Sequence, residues 1–155
     1  MHGPVKKVFI GPCIAKKGEI RDPDTESGID ECLTFVELRR LFKERGIEAE
    51  NTVGADFDPP RGGAGSLFPV SRGMLQAAGI AEDLATGEVV TADGKTNFIE
   101  AIRAHENGAL TARLLEVLCC EGCIMGAGMS ASAPHFTRRE RVGRHSRTRL
   151  EALDR

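Results

Sequence analysis

Residues 114–128, LLEVLCCEGCIMGAG, join an apolar run to a cluster of three cysteines. The run from Leu114 to Leu118 predicts a β-strand, because short apolar stretches bounded by turn residues are typical of buried strands. Cys119, Cys120 and Cys123 follow at once, and the glycines after them oppose an immediate helix. The sequence therefore places three thiols in a loop at the end of a strand.

The beginning of the chain repeats this arrangement. Val5 to Ile10 predicts a strand, which leads into GPCIAKKGE, residues 11–19, with Cys13 as its third residue. The neighbouring Lys16 and Lys17 favour the thiolate form of this cysteine. Because side chains at the ends of strands can converge on one point, we expect both cysteine segments to contribute to one site.

The rest of the chain predicts helices and strands in mixed order. Thr34 and Glu37 have the spacing of a capping box at the start of a helix, and Gly46 is placed to end it. The other predicted elements are helices over 71–79, 98–105 and 138–153 and a strand over 88–91, with loops over 18–31 and 50–66. We therefore predict an α/β fold, a mixed sheet with flanking helices.

Charge is distributed unevenly along the chain. Residues 1–137 carry 14 basic and 20 acidic side chains, whereas residues 138–155 carry seven arginines and three acids. Since no aromatic residues are interleaved, the basic end indicates a solvated helix rather than a nucleic-acid surface. No run of ~18 apolar residues predicts a membrane span, and no apolar signal-peptide core follows the first residues. We expect a cytoplasmic protein that binds neither membrane nor nucleic acid.

The five cysteines are better explained as metal ligands or core residues than as disulfides, because cytoplasmic thiols stay reduced. Their spacing alone leaves four interpretations open. An iron–sulfur cluster would use thiolates from glycine-rich loops, with backbone N–H groups at positions such as Gly122 and Gly126 reaching its sulfides. Zinc usually takes four ligands in two compact pairs. Cys120 and Cys123 also form a CxxC suited to dithiol chemistry, and the cysteines could simply be buried.

Four motifs in order resemble the large subunit of iron-only (FeFe) hydrogenases, between residues 5 and 130. Residues 11–19 are similar to the family's Met-Pro-Cys-x-x-Lys-Lys-x-Glu, and residues 30–38 are similar to Asp-x-Val-Leu-Thr-x-x-Glu-Leu. Residues 63–78 resemble the Gly-Ala-x-x-x-Phe segment and the helix after it. Residues 119–128 resemble Ala-Cys-Pro-Gly-Gly-Cys-x-x-Gly-Gly-Gly, in a form similar to the sensory or putative branch of the family.

The resemblance implies the C-terminal portion of such a protein, with a fold resembling one half of the catalytic domain. It implies that Cys13, Cys119 and Cys123 are three ligands of a 4Fe–4S cubane, and that the thiolate of Cys123 also bridges to a two-iron subsite. Lys16 would donate a hydrogen bond to a cyanide ligand of that subsite. Cys120 stands where the family has proline, as a spare thiol or a further metal ligand.

The resemblance assigns two other residues no part in the site. Cys32 occupies an apolar position of the family pattern, so we expect it in the core. Glu19 matches the last residue of the first motif, and we assign it no catalytic role, since a solvated loop carboxylate explains it as well.

Some features of the family have no match in these residues. The Thr-Ser-Cys-Cys-Pro motif, which supplies the fourth cubane ligand and a proton-relay cysteine, is absent, as are ferredoxin-like cysteine runs. We expect residues 1–130 to form a hydrogenase-like iron–sulfur domain without its N-terminal half, and residues 131–155 to form a basic helix. The partner would be that missing half or a ferredoxin-like module.

The function implied by the resemblance is a part in the electron and proton chemistry of dihydrogen, and the isolated chain is expected to be inactive. Two alternatives remain at this point. One is a redox or hydrogen sensor module without turnover. The other is a zinc-binding or inactive fragment.

Overall fold

The computed structural model describes residues 5–153, which divide into two compact units. The first unit contains the described residues up to Phe57 together with Gly126–Ser132. The second unit contains Asp58–Met125 and the described residues from Ala133 onward. In this described part of the chain, no helix has both the length and the apolar character needed to cross a membrane.

A pair of parallel strands organises the first unit. β1 (Val8–Ile10) pairs with β2 (Glu31–Leu33) along its whole length. The Gly11 N–H donates to the Leu33 carbonyl at 3.0 Å, so the pairing continues beyond the end of β1. A single helical turn, α1 (Lys16–Glu19), begins five residues after this hydrogen bond.

Helix α2 (Phe35–Glu44) begins with the predicted capping box, which is therefore confirmed. The Glu37 N–H donates to Thr34 Oγ1 at 3.2 Å, and the Thr34 N–H donates to Glu37 Oε2 at 2.8 Å. Lys17 Nζ lies 2.9 Å from the other carboxylate oxygen of Glu37. Hydrogen bonds from the Thr34 backbone, from Lys17 and from the Thr34 hydroxyl lower the pKa of Glu37 to about 2.

The segment Gly126–Ser132 packs against the start of α2. The Gly128 N–H donates to the Pro12 carbonyl at 3.0 Å, and the Gly128 carbonyl accepts from the Val36 N–H at 3.2 Å. A Cβ atom at Gly128 would lie 2.6 Å from the Thr34 side chain. Glycine is therefore required at this close approach, which ties the segment to both the loop after β1 and the start of α2.

The second unit contains another pair of parallel strands. β3 (Val89–Asp93) pairs with β4 (Leu114–Leu118) over all five residues of each strand. Helix α4 (Asn97–Glu106) lies in the connection between them, because parallel strands need a crossover rather than a tight turn. A short helix, α3 (Gly73–Ala77), precedes both strands.

The last helix, α5 (His135–Leu153), packs on a 3₁₀ turn over Gly63–Leu67. Near its start, the Arg138 guanidinium donates to the carbonyl of Ala133 at 2.7 Å and to that of Ile124 at 2.6 Å. Ile124 belongs to the loop that carries three of the cysteines. Arg138 thereby joins the start of the helix to this loop.

The predicted α/β class is confirmed, with helices beside small sheets. The strands form two separate parallel pairs rather than a single mixed sheet. The sequence did not predict β2, because three residues that follow a polar stretch with Gly and Asp are too few to show a period. The single turn α1 was not predicted either, and its last two residues fall inside the predicted loop over 18–31.

Candidate functional site

Three cysteines lie on the loop that follows β4. Cys119 and Cys120 are exposed, and Cys123 is half-buried. The Cys120 carbonyl accepts a hydrogen bond at 3.3 Å from the N–H of Gly94, the residue directly after β3. The loop therefore starts at the shared end of the two parallel strands, with thiols that a ligand can reach.

Gly122 determines the shape of this loop. Its φ of +90° lies in the left-handed region, and a Cβ atom there would lie 2.6 Å from the Pro69 carbonyl oxygen. The same oxygen accepts a hydrogen bond from the Ile124 N–H at 3.3 Å. The Ile124 side chain is 4% exposed, so it anchors the loop in the core. The backbone between Cys119 and Cys123 is thus held by close packing.

A buried carboxylate supports the strand below the loop. Glu116 on β4 is 7% exposed, and its Oε2 accepts a hydrogen bond from the Arg72 N–H at 2.9 Å. Arg72 has a φ of +67°, and its guanidinium lies 3.2 Å from the Glu82 carboxylate. These contacts fix β4 directly before the cysteines. A single acidic residue in a strand gives no signal of a distant backbone partner, so these contacts could not be predicted from the sequence.

The first unit holds the other predicted site residues. Cys13 is half-buried and follows β1. Lys16 Nζ lies 2.7 and 2.6 Å from the two carboxylate oxygens of Glu19. This ion pair is exposed, so Lys16 can exchange Glu19 for another anion at little cost in free energy. The Lys17 ammonium instead donates a hydrogen bond to the Cys32 carbonyl at 2.9 Å.

Cys32 is a core residue, as predicted. Its side chain is 0% exposed, and the residue lies opposite Phe9 in the β1–β2 pair. A metal could reach this thiol only if the strand pair opened. Cys32 is therefore excluded as a ligand in the folded first unit.

The donor atoms fit an iron–sulfur group by type. All five cysteines lie within residues 5–153, and none forms a disulfide. Accessible thiols on a glycine-shaped loop are the soft ligands that such clusters take. Within the same described residues, no three His, Cys, Asp or Glu side chains come together as a preformed metal site. Neither unit alone offers four accessible thiols, so the ligand set is incomplete in each.

The family model that matches residues 2–127 describes the iron only hydrogenase large subunit, C-terminal domain. This match covers most of the 155 residues, and the chain belongs to that family. The prediction of a C-terminal portion of an iron-only hydrogenase is therefore confirmed.

Two relatives show what share of a hydrogenase this chain matches. The chain is 36% identical over 91 residues to the NADP-reducing hydrogenase subunit HndD of Solidesulfovibrio fructosivorans, covering 54% of this chain and 16% of that protein. It also resembles a solved structure of HydA(deltaEFG), described for stepwise FeFe-hydrogenase H-cluster assembly, with a TM-score of 0.62 and 22% identity. That match covers 88% of this chain and 52% of the other, and it supports the fold.

Proposed function

We propose that this chain binds a 4Fe–4S cluster through the thiolates of Cys13, Cys119 and Cys123, as part of a hydrogenase-like protein. The loop after β4 is the observation that carries the proposal. There, exposed Cys119 and half-buried Cys123 flank Gly122, whose backbone packs against a carbonyl oxygen. Clusters of this kind take thiolates from such loops and accept hydrogen bonds from nearby backbone N–H groups. Membership of the family makes iron–sulfur chemistry the best explanation for these thiols.

The backbone next to Cys13 is held by hydrogen bonds within the first unit. Pro12, directly before it, accepts a hydrogen bond from Gly128 at 3.0 Å. Gly126 lies in the same segment, and its carbonyl accepts from the Met129 N–H at 3.1 Å, which forms a turn. The segment Gly126–Ser132 therefore holds the backbone beside Cys13 within the first unit.

The fourth ligand, in this proposal, comes from outside these residues. Cys120 is the other accessible thiol, but it is adjacent to Cys119. It stands where the family pattern has proline, so the resemblance gives it no place among the ligands. We infer that Cys120 is a spare thiol next to the site.

A polypeptide resembling the N-terminal half of the family is the partner that we infer. The chain spans 52% of the hydrogenase structure that it matches and 16% of the curated relative, so nearly half of the first protein and most of the second lie outside the match. Together the two parts would carry out the electron and proton chemistry of dihydrogen. Lys16 would then donate a hydrogen bond to an anionic ligand of a two-iron subsite, in exchange for its exposed pair with Glu19.

Anaerobic reconstitution with iron and sulfide tests cluster binding. We expect broad visible absorption and an electron paramagnetic resonance signal after reduction. Cys13→Ser, Cys119→Ser and Cys123→Ser should each lower the bound iron and sulfide, because each removes a soft ligand. Cys120→Ser should retain the cluster, and so should Cys32→Ala, which removes the buried thiol. Stoichiometric zinc with no iron incorporation would contradict the proposal, as would equal loss in all five variants.

A further inference from the structure

A cavity of about 470 Å³ lies within the second unit, between α5 and the segment from Leu67 to Gln76. Its size falls in the range of ~300–1,000 Å³ that is typical of small-molecule sites. Leu67, Val70 and Leu150 supply apolar lining. None of the cysteines lines this cavity, so it is distinct from the site proposed above.

One face of α5 forms the polar wall of the cavity. Arg139, Gly143, Ser146 and Arg147 all line it. Arg139, Gly143 and Arg147 follow one another at intervals of four residues, and Ser146 lies three residues after Gly143, which are the spacings of neighbours on a helix surface. Glu151 lines its end and adds a carboxylate. The wall therefore carries two guanidinium groups against one acid, and an anion is favoured there.

Ser146 is the most unusual member of this wall. It is 2% exposed, and its hydroxyl has no hydrogen-bond partner among the described residues. A buried hydroxyl without a partner destabilises a folded protein, and most such groups in native structures bond to protein, water or ligand. The unpaired hydroxyl leaves a hydrogen-bonding position beside the cavity that the described residues do not fill.

Gly143 leaves open space in the same wall. A Cβ atom built there would meet no heavy atom within 4 Å, and the residue has ordinary helical backbone angles. A glycine in the middle of a helix lowers helix stability, so its presence needs another reason. Here the missing side chain keeps the space between Arg139 and Arg147 free.

We propose that this cavity binds a small organic oxyanion, a carboxylate or phosphate ester carrying a short apolar chain. The oxyanion is held by Arg147 and the Ser146 hydroxyl, and the apolar chain lies against Leu67, Val70 and Leu150. Guanidinium groups suit this ligand because they donate parallel hydrogen bonds to planar or tetrahedral oxyanions. The proposal is independent of the cluster and applies to the chain without iron.

Binding of hexanoate and of hexyl phosphate to the purified chain tests the proposal, measured by NMR titration and by thermal shift. At least one of the two should bind at about 1–10 mM or tighter and shift the signals of residues on the cavity face of α5. The better ligand identifies the carboxylate or the phosphate class. Hexylamine is the charge-reversed control, and we expect it not to bind.

Three variants locate the ligand. Ser146→Ala should raise Tm without ligand, because it removes an unpaired hydroxyl, and should also weaken binding. Gly143→Leu should abolish binding while Tm is maintained, since leucine is a better helix former than glycine. Arg147→Gln should weaken binding roughly tenfold or more, whereas Arg141→Gln, on the opposite face of α5, should not. Binding that survives in Gly143→Leu, equal binding of hexylamine, or no binding of either oxyanion would overturn the proposal.

Discussion

A Cβ atom on Gly122 would lie 2.6 Å from the carbonyl oxygen of Pro69. This backbone-to-backbone approach places the cysteine loop directly on the turn that leads into α3. Since neither group can move as a flexible side chain could, the loop tolerates only glycine at this position.

Gly122→Ala should therefore lower both stability and cluster binding. The positive φ alone costs about 1–2 kcal/mol for a residue with a side chain, and the clash with Pro69 adds to it. Chemical denaturation of the chain without iron measures the first effect, and iron content after reconstitution measures the second. Gly65→Ala is the matched control, because a Cβ atom there meets nothing within 4 Å. Equal stability of the two variants would contradict this account of the loop.

The capping box of α2 predicts a specific response to acid. The pKa of Glu37 is lowered to about 2 in the folded chain, from an ordinary value of 4.5, by Thr34 and Lys17. A lowered pKa means that the ionised form stabilises the fold above pH 4.5 and that this contribution is lost as the pH falls toward 2. Thermal unfolding between these pH values should show a steeper loss of Tm for the natural chain than for Glu37→Gln.

A matched surface variant separates this capping effect from general acid denaturation. Glu44→Gln, near the end of the same helix, removes an exposed ion pair with Arg40 instead. The Tm of this variant should fall with pH as steeply as that of the natural chain, because the hydrogen bonds between Thr34 and Glu37 are unchanged. Identical pH profiles for Glu37→Gln and the natural chain would rule out the role assigned to this carboxylate.

Arg138 should stabilise the second unit through its two bonds to carbonyl oxygens. The guanidinium donates from separate nitrogens to Ala133 and Ile124, and lysine cannot reproduce that geometry. Arg138→Lys should lower the free energy of unfolding by about 1–3 kcal/mol, the usual size for a hydrogen bond to a charged group. Arg141→Lys, at an exposed position of the same helix, should change it little. Urea denaturation of both variants provides the comparison.

Local signals in the sequence predicted much of the fold. The spacing of Thr34 and Glu37 identified the start of α2, since a capping box involves residues only three apart. The apolar run from Leu114 to Leu118 identified β4 with the same bounds. The apolar position of Cys32 in the family pattern indicated a core residue, and its side chain is fully buried.

Features that depend on distant partners could not be predicted in this way. Arg72 has a left-handed backbone, and its N–H donates a hydrogen bond to Glu116, which lies 44 residues further along the chain. The unpaired hydroxyl of Ser146 is invisible in the sequence, because its burial depends on packing between α5 and a turn some 80 residues earlier. The family resemblance indicated which cysteines to expect as ligands, whereas the exposure of each thiol could be determined only from the structure.

A polypeptide of these 155 residues alone should not turn over dihydrogen. These residues contain no match to the family's Thr-Ser-Cys-Cys-Pro motif, so under the proposed function the fourth cubane ligand and the proton-relay cysteine would both have to come from another polypeptide. Without a positioned acid or base, proton transfer loses a contribution of about 10²–10⁴ in rate. Hydrogen evolution from reduced methyl viologen, after treatment with iron, sulfide and a synthetic two-iron complex, measures the activity. The rate should equal that of a Cys123→Ser control, and it should rise above that control when a polypeptide resembling the N-terminal half is added. A rate well above the control without such a polypeptide would show that these residues suffice for catalysis.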